Sequence, residues 1–276
     1  LHRRIEPTAQ SKFTASDGEE HLSIIASEPP PQTFSHYPAW PVRVRLPLFW
    51  SPPHSCAYVS SRSAQMRFAR VSRMEPRAYH DLMDSGFRRS GRVVYQPVCP
   101  GCRACQPIRV PVDRFRPSRA QRRSVAKNAD LRIAIGKPTP GTEKFELYRR
   151  YLRDWHHRPE DEVGSREEFE QFLYDSPVES VEFSYRDNMG TLVAVGICDL
   201  CDQSLSSVYF YFEPALWRRS LGTFGAMQEI AYTASVGVPY YYLGYFIYDC
   251  GSMSYKAGFL PCQILGTDGI WRDHAI

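Results

Sequence analysis

Apolar positions over the first 54 residues keep no steady period, and prolines interrupt them at 29–31, 38, 41, 47 and 52–53. A disordered or loosely attached leader is expected there, with a short edge strand in the partly alternating patch Val42–Trp50. Folded structure begins near Cys56. Met66–Val71 reads as a strand, Pro76 suits the first turn of a helix that Gly86 ends, and Val93–Tyr95 and Ile108–Val112 read as further strands. Ser118 caps a basic helix, and Leu131, Ile133 and Ile135 alternate as a closing strand. The cluster Lys137-Pro-Thr-Pro-Gly141 is the expected boundary between an N-terminal unit, 55–137, and a C-terminal unit, 142–276.

In the second unit the period becomes helical. Phe145, Tyr148, Leu152 and Trp155 recur at helix spacing behind a Thr142 cap, and an acidic helix follows over Ser165–Tyr174. Strands are expected at Ser180–Tyr185, Leu192–Leu200 and Ser206–Phe212, the first two joined by the turn Asp187–Gly190. A loop, Glu213–Ser220, leads into a helix bearing Phe224, Met227, Ile230 and Ala234. Gly237 ends it, and an apolar strand, Val238–Phe246, follows. The predicted class is α/β (α+β): a small cysteine-bearing α/β domain, then an acetyltransferase-like domain.

Charge changes this picture. From Tyr58 to Arg132 there are 17 Arg/Lys against 5 Asp/Glu, and 16 of the 17 are Arg; from Ile133 onward the count is 12 against 20. An arginine-dominated block is the footprint of a phosphate- or carboxylate-binding surface rather than of simple solubility. No apolar run approaches the ~20 residues of a membrane span. The first residues carry no secretory signal, although Leu1 in place of Met hints at an alternative start or a shortened chain. A soluble, cytoplasmic, monomeric protein is expected.

Three stretches carry candidate chemistry. Cys99, Cys102 and Cys105 fall three apart, with Pro100-Gly101 turning the chain between the first two. With Cys56 they make a possible metal or cluster tetrad, against the alternative of free thiols, which is the reading for Cys198, Cys201, Cys250 and Cys262. Arg219-Ser-Leu-Gly-Thr-Phe224 joins a strand to a helix, where Arg219, Ser220, Gly222 and Thr223 could cradle phosphates. Phe224 stands where an acetyl-CoA cradle needs a small residue, which argues against that donor. Tyr242–Lys256 is dense in tyrosines, useful for holding a nucleoside or aminoacyl group. His156 and His157 are read as partners of a helix C-terminus.

These residues resemble the aminoacyl-tRNA–protein transferases, a family of eukaryotic arginyltransferases and compact bacterial enzymes that usually transfer leucine. The resemblance spans about Cys56–Trp271. It rests on Cys56-x-Tyr58, Gly86-Phe-Arg-Arg-Ser-Gly91, Tyr95-x-Pro-x-Cys-x-x-Cys-x-Ala-Cys105, Ile108-Arg-Val, Pro117-Ser-Arg-x-x-x-Arg123, Arg219–Phe224, Tyr242-Leu-Gly-Tyr and Met253-x-Tyr-Lys-x-x-Phe-x-Pro261. Two departures are the missing Leu-Pro after Tyr58 and Gln263 where Glu is expected. The resemblance implies transfer of leucine or arginine from charged tRNA to the N-terminal amine of a protein beginning with Asp or Glu, creating a degradation signal. It implies no cofactor for the chemistry, with an iron–sulfur cluster or zinc possible at Cys56, Cys99, Cys102 and Cys105. Arg88, Arg89 and Arg109 are then expected to read the acceptor carboxylate, and Arg119, Arg122, Arg123 and the 219–223 loop to hold tRNA. Tyr245, Tyr255 and Lys256 are expected to line the reactive ester. An acetyl-CoA-dependent acetyltransferase and a non-catalytic RNA-binding protein are the alternatives.

Overall fold

The computed structural model describes residues 45–274, so the expected leader lies outside it up to residue 44. The N-terminal elements are β1 (Phe49–Trp50), β2 (His54–Ser55), β3 (Ser63–Ala64), β4 (Met66–Arg70), α1 (Pro76–Asp84), β5 (Arg88–Ser90), β6 (Val93–Pro97), β7 (Gln106–Pro111), α2 (Arg119–Lys127) and β8 (Arg132–Gly136). The rest of the chain gives α3 (Thr142–Arg150), running into a π-helical turn at Tyr151–Trp155, then α4 (Arg166–Leu173), β9 (Ser180–Arg186), β10 (Leu192–Leu200) and β11 (Ser204–Phe212). After a 3-10 turn at Pro214–Arg219 come α5 (Leu221–Ser235), β12 (Tyr240–Phe246), α6 (Gly251–Ser254), β13 (Gln263–Leu265) and β14 (Trp271–Asp273).

Local chemistry explains the helix starts. Ser118 and Ser165 each form a reciprocal capping box, with Gln121 and Glu168 respectively. Thr142 is the first helical residue rather than the cap; Gly141 takes the cap position and no side chain closes it.

Sheet order shows how the two expected units meet. One four-stranded antiparallel sheet runs β1-β4-β6-β5, while an eight-stranded sheet runs β14-β13-β7-β12-β11-β10-β9-β8. β7 and β8 come from before the Pro/Gly cluster, yet β7 lies between β13 and β12 and β8 pairs with β9 at the far edge. Lys137–Gly141 is therefore a connection inside one sheet. Within that sheet β11 and β12 are parallel and pair only from Ser204↔Tyr240 to Ser206↔Tyr242. Past these residues the two strands part, which opens the sheet at their C-terminal ends.

Helix α5 covers one face of the large sheet. It can come close because Gly225 lies against Phe210: a Cβ there would sit 2.1 Å from the ring. Phe224 packs edge-on to Tyr185 at 5.7 Å, inside the core. The opposite face carries α3 and α4, through Tyr148, Tyr209 and Tyr211, and beside them α1 and the small sheet.

The small sheet is bolted to the large one by Arg89 on β5, whose Nε and Nη2 donate to the two Asp199 oxygens at 2.6 Å, with both side chains wholly buried. Ser180 adds a third donor to Asp199 at 2.7 Å. Removing one partner of such a pair leaves a buried, uncompensated charge. Arg89→Ala and Asp199→Ala should each lower unfolding free energy by about 3–5 kcal/mol, read as a fall in the urea midpoint. An apolar pair, Arg89→Met with Asp199→Leu, should recover most of that loss.

Candidate active site

The three arginines expected to read an acceptor carboxylate have different fates. Arg89 is neutralised by Asp199 and reaches no surface. Arg109 donates to Asp84 at 2.8 Å and Gln263 at 2.9 Å, and its guanidinium lies 3.7 Å from the Tyr240 ring centre and 4.2 Å from that of Trp271. Both side chains are already satisfied inside the protein, so neither can turn to an outside carboxylate without breaking a buried contact. Gln263 suits its place: it accepts from Arg109 and donates to Asp273, which a carboxylate in the same position could not do.

Arg88 is the exception. It is 5 % exposed and donates to the carbonyls of Phe87 at 2.7 Å and Gly244 at 3.0 Å, while its Nε is buried with no acceptor. Its guanidinium lies over the rings of Tyr242 and Tyr245, 5.1 and 5.5 Å from their centres. Among the described residues no carboxylate pairs with it. Tyr242 and Tyr245 are three apart and would face opposite sides of a regular strand. They share a face because β12 is irregular between them, at Gly244 with φ +82°. That conformation suits glycine, and the irregularity re-aims the side chains beyond it.

Lys256 stands beside this arginine. Its Nζ donates to the Tyr245 carbonyl at 2.9 Å and approaches the Met253 sulfur at 3.4 Å. Burial and then the Arg88 charge push the amine down to about 7, with Cys105 and Cys250 acting the other way. Tyr58, Tyr95, Cys105 and Cys250 pack around Tyr245, Ile247 and Met253. Burial pushes the Tyr95 hydroxyl up to about 12 despite Arg88 nearby, so it stays protonated. Tyr245 has a positioning role: its hydroxyl donates to the Gly86 carbonyl at 2.8 Å, and its own carbonyl holds Lys256. Tyr255, grouped with it in the sequence, lies outside the buried centre and is 52 % exposed.

Three of the four tetrad sulfurs gather, and each accepts hydrogen bonds. Cys56 accepts from the Tyr58 and Val59 amides, Cys99 from the Gln65 amide, and Cys102 from Arg62 at 3.0 Å. Cys105 lies close enough to Cys99, Cys56 and Cys102 to feel all three and also packs against Tyr245, Ile247 and Met253, and burial pushes the Cys99 and Cys105 thiols up. Among the described residues no three Cys, His, Asp or Glu side chains converge as a metal ion requires.

A second region lies on the other side of the sheet. Arg119, Arg122, Arg123 and Lys127 are exposed along α2. A groove of about 500 Å³ runs between Arg123, Ser124 and Lys127 on that helix and Ser220 and Thr223 at the start of α5. No side chain caps α5, so its first amides and the positive end of its dipole remain for an anion. Nothing lies within 4 Å of where a Gly222 Cβ would be. Phe224 turns into the core, so its ring does not obstruct the groove as its position in the sequence suggested. Arg219 is a fastener rather than a free phosphate ligand: it pairs with Asp130 and donates to Asn128 at 2.8 Å, tying the 3-10 turn to the end of α2. His156 is likewise no cation for a helix end. Burial, then Arg158 and His157, push it down to about 4, and its ring meets Tyr151 edge-on at 4.8 Å.

The sequence pattern gave no sign of the roles of Asp84 and Trp271, nor of where Tyr58 and Tyr95 pack. Asp199 lies in an otherwise apolar strand pattern, and that is the only cue to a buried charge.

Comparison with known proteins adds an independent line. Residues 54–123 match the family described as "Arginine-tRNA-protein transferase, N terminus", and 143–266 match its "C terminus" counterpart. The chain is 39% identical over 222 residues to an aspartate/glutamate leucyltransferase of Pseudomonas fluorescens, covering 80% of this chain and 94% of the relative. It is 38% identical over 232 residues to one of Halorhodospira halophila, covering 83% and 98%. Among solved structures, L-PGS from Bacillus licheniformis is similar at TM-score 0.42 and 11% identity, over 72% of this chain and 69% of that one. A tandem GNAT protein from the clavulanic acid biosynthesis pathway matches at TM-score 0.35 and 12% identity, over 63% and 54%.

The low Lys256 value has a measurable consequence. Between about 7 and the ordinary value of 10.5 the unfolded chain binds a proton at this amine that the folded chain does not. This group therefore makes stability rise with pH across that window. In Lys256→Met the rise should flatten, as read from urea midpoints at pH 7, 8 and 9.

Proposed function

Because the chain belongs to the aminoacyl-tRNA–protein transferase family, we propose that it moves leucine from leucyl-tRNA to the N-terminal amine of proteins beginning with Asp or Glu. The observation that carries this reading is the pairing of Arg88 with Lys256 in one buried centre without a carboxylate. Buried cations are ordinarily neutralised. A centre that leaves the Arg88 guanidinium without a carboxylate, beside an amine that burial and that guanidinium push down, suits an anion, and the acceptor's Asp or Glu side chain supplies one.

The same charge balance favours leucine over arginine as the donor residue. An arginyl side chain would bring another cation beside Arg88, with which no carboxylate pairs among the described residues. A leucyl side chain is compatible with the apolar surroundings that Ile247, Met253 and the aromatic rings provide there. That the relatives named above are leucyltransferases agrees with this choice.

The aminoacyl ester is already activated, so the reaction needs positioning more than a strong base. The acceptor's neutral α-amine attacks the ester carbonyl. The new C–N bond forms, the C–O bond to the ribose breaks, the amine loses a proton and the ribose oxygen gains one. Lys256, with its value near 7, can accept that proton and return it to the leaving oxygen. Arg88 fixes the acceptor carboxylate and shares in stabilising the developing oxyanion. The α2/α5 groove takes tRNA phosphates through Arg123, Lys127 and the uncapped start of α5. Charged tRNA is a cytoplasmic substrate, and the reading is of a monomeric cytoplasmic enzyme.

Incubation with labelled leucyl- and arginyl-tRNA and with peptides starting in Asp, Glu or Arg should put leucine on the Asp and Glu peptides only. Absence of any labelled peptide would sink the enzyme reading, and arginine transfer would overturn the donor. Arg88→Ala should raise the acceptor KM roughly 10- to 150-fold, the worth of a hydrogen bond to a charged group, with the tRNA KM little changed. Arg123→Glu should weaken tRNA binding and reduce the slope of log affinity against log salt by about 1.

A further inference from the structure

Three of the large apolar side chains that the described residues leave exposed lie on the turns that follow α3, β11 and α6. Trp155 is 37%, Trp217 48% and Tyr255 52% exposed. Trp155 ends the π-helical turn and rests edge-on against Phe212, the last residue of β11, at 5.1 Å. The 3-10 turn bearing Trp217 packs on that π-helical turn, and Arg150 holds its leading residue Glu213 at 3.0 Å. Tyr255 begins the 3-10 turn that follows α6 and directly precedes Lys256. Trp155 and Trp217 therefore stand at the C-terminal end of β11, and Tyr255 adjoins Lys256 after β12.

Cations continue this strip towards the phosphate groove. The Arg218 guanidinium lies 5.2 Å from the centre of the Trp217 ring, and Lys127 donates to the Arg218 carbonyl at 2.6 Å. Lys127 and Arg123 line the groove itself. Flat aromatic faces beside a cationic track are the means by which proteins hold unpaired nucleic acid, the rings stacking on bases while the cations follow the phosphates. A protein partner's apolar face would find no such use for the cations.

We infer that Trp217, Trp155 and Tyr255 form a stacking platform for the unpaired 3′ end of the charged tRNA. The strand passes from the α2/α5 groove over Trp217 and reaches Tyr255, which sets the terminal nucleoside and its ester beside Lys256. This rests on the aminoacyl-tRNA reading and adds how the end of that substrate is gripped.

The test uses the full chain and two RNA probes: a short single strand ending in the tRNA's 3′ sequence, and the same strand paired into a blunt duplex. Trp217→Ala should weaken single-strand binding roughly 5- to 150-fold, the range for one base–aromatic stack, while duplex binding holds. Trp217→Phe, which keeps a stacking face, should stay within a few-fold of the parent. The salt slope should be unchanged in Trp217→Ala, because stacking releases no counterions, and should fall in Arg123→Glu. In the transfer assay Trp217→Ala and Tyr255→Ala should raise the KM for charged tRNA and leave the acceptor KM alone. Matching thermal melts would confirm that each variant is folded. Single-strand affinity equal to the parent in Trp217→Ala, Trp155→Ala and Tyr255→Ala would overturn the platform. So would equal losses on both probes, or a loss confined to acceptor protein. A parent chain that transfers nothing from charged tRNA would end the functional reading itself. A parent that transfers normally, with tRNA KM unmoved in these variants, would end the platform alone.

Discussion

The contact on which the rest of the arrangement depends is the ion pair between Arg89 and Asp199. Both side chains are out of water, so each charge is tolerable only because the other is there. The pair ties β5 of the small sheet to β10 of the large one, and Arg88, the adjacent residue, is thereby delivered to β12. A surface arginine would leave β5 free to slide. A buried one with a single acid in reach sets both distance and register.

Three arginines in one short stretch thus do three kinds of work. Arg89 locks two sheets. Arg109, held between Tyr240 and Trp271 and paired with Asp84, fastens β7 to its neighbours and to the end of α1. Arg88 keeps a charge that no carboxylate among the described residues cancels, and it helps push down the Lys256 amine beside it. The glycine irregularity at Gly244 is what allows the two rings of Tyr242 and Tyr245 to hold Arg88 together, and it also leaves the Tyr245 carbonyl for Lys256. One departure from strand geometry therefore assembles most of the centre.

Much of the element order was legible because helix and strand periods differ. Capping residues such as Ser118, turn glycines and the long alternating strands 180–186 and 204–212 need only local chemistry. The basic face of α2 was legible for the same reason, since the spacing of Arg119, Arg122, Arg123 and Lys127 is a property of one helix. How the two expected units share one sheet was not. Only strand pairing reveals that β7 and β8 belong to the same sheet as the later strands, and pairing is a long-range choice that periodicity does not encode.

The sequence by itself determined the elements, the basic block and the motifs that mark the family, since each is a matter of neighbouring residues. Tertiary structure alone decided which arginine is free, which tyrosine is buried, where Cys105 packs and whether Phe224 blocks its groove. The physical reason is that charge is judged by its partners. Arg88, Arg89 and Arg109 are chemically identical in the sequence, and their roles separate only when Asp199 and Asp84, each far along the chain or across a layer from its partner, arrive to neutralise two of them.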